Sequence, residues 1–315
     1  MKSFLAALVS FLIMTVIFLR IDLGEFRRHL GGIDPLLFGL ALAFFIPQVA
    51  VSAWRWRFMI DRWCRITLWE SSVLILAASA INILIPSRVG DLCKAYFIAR
   101  QGRLDIRRGM NVVLFEKYVD LASLGVVVLT GIACAGRMDS ASWLGLAFAL
   151  GMIGIFPVLY FVRLDRWVSH PKFEENRLLA KVKHFLVDSQ TYLDEIKNDP
   201  KHVVGILAVS VFLWFLHIAQ FHVIFLALHS EVPAFHIYRL VPLAILVGLV
   251  PITMAGVGTR DSAMIYFFAP YETASLVAGV GLFSSLRYFL PGLIGLPFMN
   301  KYIVAKPAAS EGLAP

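Results

Sequence analysis

The sequence predicts an all-α polytopic membrane protein of about six transmembrane helices and two re-entrant helical hairpins, arranged as an inverted internal repeat. Three observations carry this. First, the 315 residues are 59% hydrophobic and only 16% charged, with a mean hydropathy of +0.77, whereas soluble domains run at about 25% charged. Second, the apolar stretches are continuous rather than alternating, and several reach the roughly 17–25 residues a helix needs to cross a bilayer, which argues against a barrel. Third, two breaks, near Pro86–Gly90 and Pro251–Gly258, repeat the same chemistry in the two halves of the chain.

The apolar segments fall near 3–19, 35–54, 68–86, 109–135, 141–162, 203–228, 238–255 and 274–299. The first follows a lysine, is long for a signal-peptide core and has no clear cleavage site after it, so it reads as an uncleaved span. Residues 163–202 carry eight Lys/Arg and seven Asp/Glu and form a solvated connector. Within it, LLAKVKHFLVDSQTYLDEI has apolar residues at helical spacing, which predicts an amphipathic helix on the membrane face. The resulting organisation is a single membrane domain over 1–315. It has a first repeat at about 35–135, a linking span and connector at 141–202, a second repeat at about 203–300 and a tail at 305–315 with the composition of disorder.

Charge distribution refines the topology. Basic clusters at 55–65 and 88–108 flank the 68–86 segment. A simple crossing there would put one cluster outside, against the positive-inside rule. If residues 68–99 instead enter and turn back near Pro86–Gly90, both clusters lie in the cytoplasm, together with the connector and both termini. By this count 21 of the 29 Lys/Arg are cytoplasmic, with Arg20, Arg27 and Arg28 the main violation. The net charge of +8 therefore reports topology rather than a nucleic-acid partner. Cys64, Cys93 and Cys134 have no metal or redox spacing. No metal or cofactor motif and no catalytic motif stands out, so neither a cofactor nor an enzymatic activity is expected.

The repeat is visible by eye. ILIPSRVGDLCKAYF aligns with GLVPITMAGVGTRDSAMIYF, and VLFEKYVDLASLG with GLFSSLRYFLPGLIG. Gly90 precedes Leu114-Phe115 by 24 residues, as Gly258 precedes Leu282-Phe283. A single linking span between the halves would invert the second. Inverted-repeat transporters place their sites near the midplane at discontinuous helices.

Candidate site residues are the charges inside these segments. Glu116 and Asp120 are spaced i, i+4 and share a helix face; an ionisable group at the bilayer centre costs about 2.5–3.5 kcal/mol on insertion scales, so both should face protein and be paired. They serve either as substrate or proton-handling groups or as a structural tie for Arg88. Lys117 lies off that face and is expected to snorkel. At the first break, Arg88, Gly90 and Asp91 form either a functional tip or an ordinary loop. At the second, Gly256 and Gly258 precede a helix N-terminus, which favours an anion, followed by Arg260 and Asp261. Arg287 suits a phosphodiester or a salt bridge to Asp261. WRWRF, with Arg55 and Arg57, reads as an interfacial belt. His217 and His222 read as polar packing, and Asn82 as a partner for backbone groups freed at the break.

LIPSRVGDLCKAYFIARQG, FEKYVDL and VPITMAGVGTRDSAM resemble the signature stretches of the lysylphosphatidylglycerol synthase transmembrane (flippase-like) family, over roughly residues 5–300. The family pattern has Arg-x-Gly-Glu, Glu-Arg-x-x-Asp and Pro-Gly-Gly-x-Gly-x-Arg-Glu. Here these stand as Arg88-Val89-Gly90-Asp91, Glu116-Lys117-x-x-Asp120 and Ala255-Gly256-Val257-Gly258-Thr259-Arg260-Asp261. Charge sign is kept while side-chain reach shortens. The resemblance implies a multi-pass protein of the bacterial inner membrane that moves or presents a phospholipid or polyprenyl-linked lipid. The alternative it leaves open is an enzyme or assembly partner in lipid-linked glycan or modified-lipid synthesis. A homo-oligomer or a partner biosynthetic enzyme is compatible with either. Aminoacyl transfer is not expected, because no transferase domain accompanies the membrane part. On this reading Arg88, Arg260 and Arg287 hold phosphate, and Asp91, Glu116, Asp120 and Asp261 hold those arginines, couple protons or bind an amino headgroup.

Overall fold

The computed structural model describes residues 2–84, 89–136, 138–162, 177–249, 253 and 256–303. All regular structure among them is helical: α1 (Lys2–Arg20), α2 (Leu23–Gly31), α3 (Pro35–Ala43), α4 (Phe45–Ile60), α5 (Leu68–Leu84), α6 (Val89–Arg100), α7 (Ile106–Ala135), α8 (Ser140–Phe161), α9 (Arg177–Ile196), α10 (Pro200–Ala227), α11 (Ala234–Leu249), α12 (Thr259–Phe268) and α13 (Ala274–Ile303). The tips of both expected hairpins fall partly outside the described residues, at 85–88 and at 250–252 and 254–255. Most of the connector before α9 and the tail at 305–315 also lie outside them.

Five units are long and apolar enough to cross a membrane among the described residues: Pro35–Ile60, α7, α8, α10 and Ala274–Met299. α1 and α2 together make a sixth, bent by 96°. Local chemistry sets the ends. Aspartates 34, 105, 139 and 199 sit just before α3, α7, α8 and α10, each accepting backbone N–H groups of the first turn. Such caps satisfy donors that have no intrahelical partner. Asp22 does the same for α2, accepting from Gly24 N (2.7 Å) and Glu25 N (3.0 Å), so the first span turns sharply into a short helix not anticipated from sequence. Pro47 lacks the N–H that would bond Ala43, and the helix is interrupted beside it at Phe44.

Two short apolar helices differ from the spans. α5 has 17 residues and α11 has 16, about 24–26 Å at 1.5 Å per residue, short of a hydrocarbon core of about 30 Å. Each is followed by a shorter helix packed against it, α6 on α5 and α12 on α11. The first break is fastened by Asn82, whose amide oxygen accepts from Gly90 N at 2.8 Å. At the second, Gly256 and Gly258 adopt φ of +77° and +96°, which only glycine enters without strain.

The halves meet along α5 and α13, the most extensive helix pair. Gly292 and Gly295 make this approach possible: a Cβ on Gly295 would stand 2.0 Å from the Leu76 carbonyl oxygen. Small residues at such seams let membrane helices gain dispersion contact that lipid cannot supply. One apolar cluster gathers around α4–α7 and α9, including Trp56, Phe115, Tyr118 and Tyr192. A second gathers around α10–α13, including Phe221, Phe225, Met264 and Phe268.

The amphipathic α9 differs from expectation. Tyr192, Leu193 and Ile196 are buried in the first cluster, and the Tyr192 hydroxyl donates to Met59 O at 2.9 Å. This part of its apolar face covers α7 and α4 rather than lipid, because the ends of those helices would otherwise expose Trp63 and Phe115. On the opposite side, buried Arg239 on α11 is held by Asp139 (3.0 Å) and Ser142 (2.9 Å). Burial pulls the Asp139 carboxyl upward, but the Ser142 N–H and hydroxyl and the Arg239 guanidinium outweigh it and hold it below its usual range.

The seam yields a direct test. Gly295→Ala should lower stability by about 1–3 kcal/mol, the usual range for overpacking, seen as a reduced melting temperature in detergent. Gly151→Ala, where an added Cβ meets nothing within 4 Å, should not.

Candidate functional site

The α4 stretch Gln48, Ser52, Arg55 is a polar stripe at i, i+4, i+7 on a helix that is otherwise apolar up to Arg57. All three residues face one cavity of about 440 Å³. Arg55 is 3% exposed and sits between the two α7 carboxylates, Nη2 2.7 Å from Glu116 Oε1 and Nη1 2.5 Å from Asp120 Oδ1. Its Nη1 also donates to Ser210 Oγ of α10 at 3.0 Å. The other Glu116 oxygen takes Lys94 Nζ of α6 at 2.6 Å, and that ammonium lies 4.5 Å from the Trp56 ring centroid. Glu116 is thus buried with a cation on each oxygen, the condition for keeping a charge in low dielectric.

A second pairing runs the other way between the same two helices. Lys117 of α7 meets Asp91 of α6 at 2.7 Å and Asp120 at 3.7 Å. Asp91 also accepts from Asn82 Nδ2 at 3.3 Å. With Asp91 and Lys94 spaced i, i+3 on α6, and Glu116 and Lys117 adjacent on α7, each helix offers one cation and one carboxylate to the other. The Lys117 side chain is 31% exposed, against 2–4% for Lys94, Glu116 and Arg55.

Several sequence-based assignments change. Helical rotation splits the WRWRF stretch: Trp54 and Arg57 are exposed while Arg55 and Trp56 are buried, so the interfacial reading fails for Arg55. Lys117 does not snorkel, because two carboxylates lie within its reach. The α7 acids are paired by Arg55 and Lys94; Arg88, the alternative partner considered for them, lies outside the described residues.

The second break is organised differently. Arg260 is 1% exposed, bonded to Asp261 Oδ1 (2.6 Å), Gly281 O (2.9 Å) and Ser285 Oγ (3.0 Å). Gly258 N donates to Asp261 Oδ2 at 2.9 Å, so the N-terminal donor expected to meet an anion is taken by the protein's own carboxylate. Arg260, Asp261 and Gly258 stand behind the cavity wall, as does Gly90. Gly256, Val257 and Thr253 reach the cavity, as do Asp91, Glu116, Asp120 and Arg287. Arg287 does not pair with Asp261; it bonds the Tyr288 hydroxyl and lies 5.2 Å from the Phe221 ring centroid.

Among the described residues the lining therefore combines four cations (Arg55, Lys94, Lys117, Arg287) with three carboxylates (Asp91, Glu116, Asp120). Amides and hydroxyls such as Gln48, Ser52, Asn82 and Tyr288 join them, beside apolar Phe45, Ile75, Ile83 and Leu213. Gln48 donates to Gln220 Oε1 at 3.1 Å, and His217 packs edge-on to Trp214. No cluster suited to a metal occurs among the described residues.

A helical bundle with five to six apolar spans and a charged internal cavity is a multi-pass membrane protein. The chain belongs to the family of the lysylphosphatidylglycerol synthase TM region, whose model matches residues 3–295. It is similar to a UPF0104 membrane protein of Methanothermobacter thermautotrophicus, 22% identical over 97% of this chain and 98% of that protein. It is also similar to a UPF0104 membrane protein of Methanocaldococcus jannaschii, 25% identical over 93% of each. A third relative, glycosyltransferase AglD of Haloferax volcanii, is 23% identical over 96% of this chain and 55% of that protein. These three are archaeal, so the likeness does not single out a bacterial membrane.

The electrostatics separate the charges by their effect on stability. Glu116→Gln should cost about 3–5 kcal/mol, because it takes from Lys94 the carboxylate it meets and leaves Arg55 with Asp120 alone. Lys117→Met should cost less than about 1 kcal/mol, because it removes a partly exposed pair whose acids keep other donors. Chemical denaturation in detergent of the two variants beside the parent measures both.

Proposed function

We propose that this protein moves or presents a lipid with an anionic or lipid-linked polar headgroup across a cytoplasmic membrane, as a carrier rather than an enzyme. A charged headgroup is opposed by the hydrocarbon core in the same way as an ionised side chain, by several kcal/mol. A route across must supply fixed charges and dipoles at depth while leaving the chains in lipid. The observation that carries the reading is a cavity in which, among the described residues, four cations and three carboxylates stand beside apolar side chains, a lining matched to an amphiphile.

In this reading α5–α6 and α11–α12 are two re-entrant hairpins related by an inverted repeat, with both termini cytoplasmic. What supports it is the insufficient length of α5 and α11, the packing of α6 and α12 back on them, and the contribution of residues beside both breaks to one cavity. The likeness to a protein named a glycosyltransferase favours a second reading, in which the chain presents a lipid-linked sugar to a transfer step or assembles with an enzyme that performs one.

The purified protein in phosphatidylcholine vesicles with a fluorescent phosphatidylglycerol separates these readings. The carrier reading expects inner-leaflet label to become accessible to an impermeant quencher. It expects the rate to fall by about tenfold or more in Lys117→Met/Arg287→Met, the loss of two charge-assisted contacts. Rates equal to protein-free vesicles, with new product from a polyprenyl-phosphate sugar donor, support the second reading instead.

A further inference from the structure

We infer that Lys117 is the exchangeable ligand of the cavity: a phosphate oxygen of the incoming headgroup takes its ammonium from Asp91, while Arg55, Glu116 and Lys94 stay paired. This rests on the reading of the cavity as a headgroup site and assigns its phosphate contact.

The geometry separates the two sets of charges. Glu116 is held through both oxygens by Arg55 and Lys94, and all three side chains are 2–4% exposed. Drawing Glu116 away takes the carboxylate from Lys94, and drawing away Arg55 or Lys94 uncovers one Glu116 oxygen in a buried site, so this triad does not open for a ligand. Lys117, at 31% side-chain exposure, is the most accessible cation of the network, and its two ion pairs are with Asp91 and Asp120 at 19%. A partly accessible pair has less to lose than an enclosed one when a partner is exchanged.

Partner counts set the sign of the ligand. If an anion takes Lys117, Asp91 keeps the Asn82 amide at 3.3 Å and Asp120 keeps Arg55 at 2.5 Å, so neither carboxylate is stranded. If a cationic headgroup took Asp91 and Asp120 instead, Lys117 would lose both carboxylates at once. Among the described lining residues cations outnumber carboxylates by four to three, which again favours an anion. Release of Lys117 from Asp91 removes one of two α6–α7 ion pairs among the described residues and leaves the Lys94–Glu116 pair in place.

On this account Asp91 competes with the ligand for Lys117, and that makes an unusual prediction. Binding of short-chain phosphatidylglycerol to the detergent-purified full chain is measured by native mass spectrometry, with diacylglycerol and inorganic phosphate as separate arms. Lys117→Met should weaken phosphatidylglycerol binding by about tenfold, and Lys117→Arg should stay within about threefold of the parent. Asp91→Asn, which keeps the Asn82 contact, should tighten binding by about threefold by removing the competitor. Diacylglycerol should show none of these changes. A purely structural pair predicts weaker binding for Asp91→Asn; that result, or parental affinity in Lys117→Met, overturns the exchange. If Asp91→Asn does not fold, the Lys117→Met and Lys117→Arg pair decides alone. Inorganic phosphate bound as tightly as phosphatidylglycerol would overturn the lipid as its source. Affinities that follow the prediction without any transbilayer movement would leave the exchange standing and defeat the carrier reading. Movement with weakened Asp91→Asn binding would do the reverse.

Discussion

A carboxylate at depth in a membrane protein must be neutralised, and Glu116 is neutralised twice. Arg55 from α4 and Lys94 from α6 meet its two oxygens, so one side chain fixes the mutual placement of three helices. The rest of the first half follows from that constraint. α6 is too short to span and is anchored by its charges rather than by its length. Trp56 lies against Lys94 because the adjacent position on α4 delivers Arg55 to the same acid. The cavity exists because these charges need neighbours with polar groups, which excludes close apolar packing there.

The two halves solve the same backbone problem with different chemistry. At the first break the polar groups are shared between helices and face the cavity. At the second, Arg260 pairs with its own neighbour Asp261 and with backbone and hydroxyl groups of α13. Gly281 permits this, since a Cβ there would stand 2.8 Å from Asp261 Oδ1. The charges beside the first break therefore pair between helices along the cavity, and those beside the second form a network set behind the wall.

The helical class and the apolar spans were legible in the sequence, because hydropathy and proline act locally. The long apolar segments became spans, and Asn82 took the backbone role its position suggested. The site was legible only in part. Glu116 and Asp120 stood out as acids in an apolar helix, but their cations did not. Arg55 sits beside Trp54 and Arg57 in a stretch that mimics an interfacial belt, and only the Gln48–Ser52–Arg55 stripe marks its inward face. Lys94 hides in a basic segment that topology alone explains. The pairing of Arg260 with Asp261 was unreadable, because adjacent residues on a helix usually diverge and the long arginine side chain folds back to meet its neighbour. The partial burial of α9 is a tertiary effect, since its moment is the same whether protein or lipid covers it.

The central claim is that charges from α4, α6, α7 and α13 converge on a cavity that receives a lipid headgroup. Cryo-electron microscopy of the protein in nanodiscs containing phosphatidylglycerol tests it most directly. The account predicts phosphate density inside the cavity, with an oxygen about 3 Å from Lys117 Nζ, and the Glu116 pairs intact. Lipid density confined to the outer surface of the bundle, with the cavity closed by apolar side chains, would contradict it.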